Sequence, residues 1–181
     1  MTRIRRKGTA MVHTPKGILV VSGRSRIYAL PGGGANKEES RKKAAMRELG
    51  EETGLKTKAT KYLFEYEGKK WYDHKGKGIR NHTKVFLIDV CGRARPRHEI
   101  KYIAFWKEGS SVRISKGTEM LIKKYLKFLE KGNFYLLNKS CFPFKNLYPS
   151  IIKNPIKANP TIMPHSLIPK KAKWKNLFNG E

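Results

Sequence analysis

The chain has 181 residues, with 40 Lys and Arg against 14 Asp and Glu and a net charge of +26. That length holds one domain with an appendage. The charge draws polyanions such as nucleotides, RNA, DNA or acidic membrane surfaces, whereas an ion-pair-rich surface of a heat-adapted protein explains it only in part, for want of acids. No stretch approaches the roughly 18 apolar residues of a membrane span, and no apolar core follows the basic start, so neither a span nor a secretory signal is expected. Cys91 and Cys141 stand alone, without metal or redox spacing, as in a reducing cytoplasmic setting.

In chain order, residues 8–13 and 17–22 read as strands separated by Thr14, Pro15 and Lys16. A short strand over 27–30 follows Arg24 and Arg26. Pro31 and three glycines then end it and let the backbone approach a ligand closely. A helix is expected next, opened by Asn36 and Glu39 as a capping box and stopped by Gly54. Ala44, Ala45 and Leu49 give it a packing seam. Its Glu48, Glu51 and Glu52 fall at i, i+3 and i+4, on one face. At ~4 Å and an effective dielectric near 20, each close pair repels by about 4 kcal/mol before screening. A solvated charged helix is the bland alternative, but a chain so short of acids has little reason to crowd them. A divalent cation supplies the reason.

Residues 61–66 and 84–90 read as long strands joined by a polar hairpin rich in lysine, either a mobile arm reaching for phosphate or a solvated loop. A further strand is expected over 101–106, and an amphipathic helix over 117–131 from the spacing of Met120, Leu121, Tyr125, Leu126 and Leu129. From 132 the texture changes to an irregular Lys- and Pro-rich extension reaching 181. Tyr28, Phe64, Tyr66, Trp71 and Phe86 can stack a base, although aromatics at strand spacing are more often core.

Residues 33–55 resemble the box of the Nudix family: Gly33, Glu39, Arg47, Glu48, Leu49, Glu51, Glu52, Gly54 and Leu55 occupy every defined position. The resemblance implies an α/β/α sandwich with a mixed β-sheet over 1–131, with 132–181 as the extension. It implies a hydrolase that cleaves a pyrophosphate bond in a nucleoside diphosphate linked to another moiety. The metal, Mg2+ with Mn2+ as a substitute, would be held by the Gly32 carbonyl, Glu48, Glu51 and Glu52. Arg47 would brace the glutamates, and Glu51, Glu52 or Glu99 would take the proton of the attacking water. Arg24, Arg26, Tyr28 and Lys84 are the expected substrate contacts. Two alternatives stand beside this: a nucleic-acid-binding module on the same fold, and an enzyme acting on the pyrophosphate at an RNA 5′ end.

Overall fold

The computed structural model describes residues 2–130; the extension expected over 132–181 lies outside the described residues. Strands β1 (Arg3–Met11), β2 (His13–Thr14), β3 (Gly17–Ser22) and β4 (Gly32–Gly34) precede helix α1 (Arg41–Thr53). They are followed by β5 (Lys56–Glu67), β6 (Trp71–Tyr72), β7 (Gly78–Cys91), β8 (Tyr102–Trp106) and helix α2 (Lys116–Phe128). The larger sheet runs β4-β1-β7-β5, with β6 also on β7, and a smaller one runs β2-β3-β8. β1 and β7 are parallel and every other pairing is antiparallel, so the larger sheet is mixed.

β1 begins at Arg3, earlier than the apolar pattern indicates. Its first half is basic and exposed, and backbone pairing with β7 holds it from Arg3↔Ile79 onward. That pairing depends on no side-chain pattern. Residues 27–30 form two isolated bridges, Val21↔Ala29 and Tyr28↔Ile114, and not the expected strand. The chain there is wedged between β3 and the stretch before α2, with Tyr28 N–H donating to Arg113 O and Ser115 N–H to Tyr28 O.

α1 packs on one face of the larger sheet. Ala10, Val12, Leu19, Ala45, Leu49, Leu55, Phe86 and Ile88 form the core between them. The approach is close because Gly8 carries no side chain: a Cβ there would strike Arg41 O and Ala45 N. The helix opens on Ser40, whose hydroxyl accepts from Lys43 N–H at 3.1 Å. Asn36 and Glu39 do meet, with Asn36 N–H donating to Glu39 Oε2 at 2.9 Å, but in the loop before the helix, so the expected capping box gives way to Ser40. Gly54 ends it in the left-handed conformation, φ 68°.

α2 lies across the opposite face. Leu30 N–H donates to Thr118 Oγ1, Lys124 Nζ to Glu65 O at 2.8 Å, and His13 Nδ1 meets Tyr125 OH at 3.0 Å. Helix, sheet and helix give the three layers that the sequence implies. No helix among the described residues is long and apolar enough to cross a membrane.

Candidate active site

Arg47 is the hub of α1's acidic face. Its Nε and Nη2 clasp the two oxygens of Glu39 at 3.0 and 3.2 Å, and Nη1 reaches Glu48 Oε1 at 3.0 Å and Glu51 Oε2 at 2.9 Å. Nη2 also donates to Gly34 O at 3.1 Å, tying the helix to β4. A planar five-donor fork is needed for this, and lysine could not supply it. The Arg47 guanidinium, followed by Asn36 N–H, holds the Glu39 carboxyl below the usual carboxylate range.

Glu48 lies flat on the backbone at Gly33, where a Cβ would occupy the space its carboxylate takes. Glu52 is buried, and its Oε2 accepts from Gly32 N–H at 3.2 Å. Burial pushes its carboxyl up to about 7; the Gly32 N–H opposes that, the charges of Glu48 and Glu99 add to it, and Lys7 opposes it. Glu99 is exposed on the loop between β7 and β8. That loop docks on the end of α1, with Arg95 N–H donating to Thr53 O at 2.9 Å and Arg97 N–H to Glu52 O at 3.1 Å. The Arg97 guanidinium lies across Gly54. Backbone donors thus satisfy the helix's last carbonyls and carry Glu99 to the edge of the carboxylates.

Among the described residues, no three acidic, His or Cys side chains converge as an ion cage in this arrangement, since Arg47 draws Glu48 and Glu51 to itself. The donor set nevertheless suits a hard divalent cation. It is all oxygen, Gly33 leaves the Glu48 carboxylate its room, and the repulsion from Glu48 and Glu99 that adds to burial in lifting Glu52 is of the kind a cation relieves.

A cleft of about 460 Å³ opens on the α2 face, floored by Lys7, Thr9, Asn81 and Thr83 and walled by Tyr66 and the first turn of α2. Lys7 joins the two regions. It lines the cleft, and its ammonium feels both Glu52 and Glu48, while burial and then Arg5 lower its pKa.

The model of the NUDIX domain matches residues 4–114. The chain belongs to the Nudix family. A crystal structure of a Nudix family member from Chromobacterium violaceum is 31% identical, covers 68% of this chain and 77% of its own, and has a TM-score of 0.56. The MutT Nudix hydrolase of Burkholderia pseudomallei shares the fold at 18% identity, covering 67% and 98%, TM-score 0.57. The bifunctional NMN adenylyltransferase/ADP-ribose pyrophosphatase of Francisella tularensis does so at 21%, covering 70% and 42%, TM-score 0.53. A search among curated proteins returned no sequence match. Nudix chemistry is pyrophosphate hydrolysis on nucleotide-type substrates, and this Nudix chain is a pyrophosphohydrolase.

The Nudix fold brings Arg47, Glu48, Glu51, Glu52 and Glu99 to one end of α1, with Gly32 beside them. It does not gather the expected substrate contacts there. Arg24 and Arg26 sit on an exposed turn, Arg26 stacked over the Tyr102 ring at 4.6 Å. Tyr28 is half-buried in its bridge to Ile114. Lys84 pairs with Glu65 at 2.8 Å and alternates to the α1 face, leaving its neighbour Thr83 in the cleft. Sequence reasoning overlooked Lys7, Asn81 and Thr83. The available signal was the alternation Lys7-Thr9-Met11, a lysine in phase with residues bound for the interior.

Proposed function

We propose that this Nudix enzyme cleaves a pyrophosphate bond in a nucleoside diphosphate linked to another moiety, with Mg2+, or Mn2+ in its place, at Glu48, Glu51, Glu52 and the Gly32 carbonyl. The observation that carries the reading is a buried glutamate lifted to about 7, crowded by Glu48 and Glu99, next to a basic cleft. The bound ion supplies charge neutralisation on phosphate oxygens and acidifies water.

The chain's own residues do the rest. Arg47 keeps Glu48 and Glu51 on the helix face that meets β4, through its bond to Gly34 O. Gly32 N–H occupies Glu52 Oε2, leaving Oε1 for a ligand or a proton. Glu99 and Glu52 are the candidates to accept the water's proton, Glu99 from the solvent side and Glu52 at Oε1. Lys7, between cleft and carboxylates, holds phosphate oxygens of the substrate. The cleft takes the nucleoside, with Tyr66 offering a ring face.

A substrate panel of free nucleotides, nucleotide sugars, dinucleoside polyphosphates and 5′-phosphorylated RNA, assayed with Mg2+ and scored by product identity, tests this. Cleavage of a pyrophosphate bond that is lost in Glu52→Gln is expected. A folded protein that cleaves no member of the panel sinks the proposal.

A further inference from the structure

The cleft face of the larger sheet does not stop at the cleft. Residues directly opposite in neighbouring strands share a face, and alternate residues repeat it. Register therefore places Lys7, Thr83 and Tyr66 on one rung across β1, β7 and β5. The next rung on the same face pairs Arg5 with Asn81, and the one beyond aligns Arg3, Ile79 and Trp71 across β1, β7 and β6. The first rung lines the cleft and the last lies beyond it. Rungs repeat at roughly 7 Å, twice the strand rise. A row of basic side chains runs down the β1 side, and Tyr66 and Trp71 stand on the other.

No acid lies on these rungs. Arg3 and Arg5 are exposed, and Trp71 is 42% exposed, a large share for an indole. The hairpin that presents Trp71 adds Lys69, Lys75 and Lys77 along its polar edge. Its own acid, Asp73, is consumed in the turn, where one oxygen accepts from Lys75 N–H and Lys77 N–H, each at 2.9 Å. The arm is therefore an ordered, predominantly cationic ribbon with Trp71 on the cleft side. A solvated loop has no need of that tryptophan.

We infer that this open sheet face, bearing Arg3, Arg5 and Trp71, binds single-stranded nucleic acid that extends out of the cleft. Charge complementarity selects a polyanion, and the exposed ring selects one whose bases are unpaired, because stacking on an aromatic face requires them free. The backbone follows the basic row while a base lies on Trp71. The assignment rests on the proposed function only for the strand's end, whose phosphates enter at Lys7; the body of the strand binds without catalysis.

The test is anisotropy of a short labelled RNA or DNA strand titrated with the full chain in chelator, so that no bond is cleaved. Trp71→Ala and Arg3→Glu are each expected to weaken binding tenfold or more, with Trp71→Phe within about threefold of wild type and the same midpoint of thermal unfolding. Losing the Arg3 contact is expected to flatten the logarithmic salt slope by about 0.7. Cleavage of a mononucleotide substrate is expected to be unchanged in Trp71→Ala, while KM for a strand bearing a 5′-pyrophosphate rises. Wild-type affinity and salt slope in both Trp71→Ala and Arg3→Glu overturn the inference, since any binding would then lie elsewhere on the surface. Retention on anionic phospholipid vesicles that depends on Trp71 and Arg3, with no oligonucleotide binding, overturns it in favour of a membrane surface. A wild type that binds strands yet cleaves no pyrophosphate sinks the proposed chemistry alone.

Discussion

In a Gly33→Ala variant the added methyl lands inside the Glu48 carboxylate. Backbone at Gly33 is not in the left-handed region, so alanine itself is tolerated and the side chain must yield. Glu48 then leaves Arg47 Nη1, at 3.0 Å, in a pair whose side chains are 29% and 18% exposed. A partly exposed pair of this kind is worth about 1 kcal/mol. Stiffening the unfolded chain at a former glycine returns about 0.4–1 kcal/mol. Stability is thus expected to change by less than about 1 kcal/mol, a few degrees at most in Tm. Catalysis should fare differently. Displacing a carboxylate proposed to hold the metal is expected to cut activity by about 10–100-fold or more at limiting Mg2+, with partial recovery at high Mg2+. Gly8→Ala is the contrast. Its Cβ meets backbone at Arg41 and Ala45, so the helix must lift, at a cost of about 1–3 kcal/mol. Urea unfolding of both variants, with Mg2+ titrations of cleavage, makes the comparison. Wild-type Mg2+ dependence in a folded Gly33→Ala would refute the role given to Glu48. A loss of stability equal to that of Gly8→Ala would refute the claim that the carboxylate is free to move.

Glu52→Gln is expected to abolish most cleavage and, without metal, to raise stability at alkaline pH. The folded carboxyl is lifted from 4.5 to about 7, so its contribution is full below ~4.5 and lost as pH rises through 7, up to about 3 kcal/mol. Urea midpoints of wild type and variant that stay parallel from pH 5 to 8 would contradict this. His13 carries the opposite sign. Burial depresses it from 6.5 to about 4, so stability is full above ~6.5 and lost as pH falls towards 4, by at most about 3 kcal/mol. His13→Gln should show a flatter profile over that window, and an unchanged slope counts against it. Arg47→Lys keeps the charge but gives up the fork to Glu39 and the link to Gly34 O, and is expected to cost about 1–3 kcal/mol and most activity. An enzyme with normal kcat and Tm would show that the hub is dispensable.

The carboxylate helix was legible because its signal is local. Three glutamates at helical spacing, an arginine among them and a glycine stop all lie within one segment, and the structure brings them together as spaced. The cleft was not legible in the same way. Its lining joins Lys7 to Thr83 and Tyr66 through pairings between distant strands, and register of that kind leaves no trace in a linear pattern. The expected contact Lys84 lies one residue from Thr83, and a period of two sends such neighbours to opposite faces. Arg24 and Arg26 are expected as cations for phosphate oxygens, but they lie on an exposed turn where Arg26 stacks on Tyr102. β1 exceeds its apolar pattern for a related reason: its basic half is a strand by virtue of its partner and not of its own alternation.

The parallel ladder between Arg3–Met11 and Gly78–Cys91 also sets an order of events during synthesis. β1 leaves the ribosome well before its central neighbour, which is the seventh of the eight strands among the described residues. At about 5–20 residues per second, several seconds separate them. α1 emerges in between with only β1 and β4 of the larger sheet made, and thirteen residues of helix are marginal alone in water. Until β7 arrives, Ala10 and Val12 have no Phe86 or Ile88 to pack against. The nascent chain therefore carries its acidic segment beside an unfinished sheet, and the core beneath the glutamates is complete only when β7 closes it. A prematurely terminated product lacking β7 would hold every glutamate of the box over half a core.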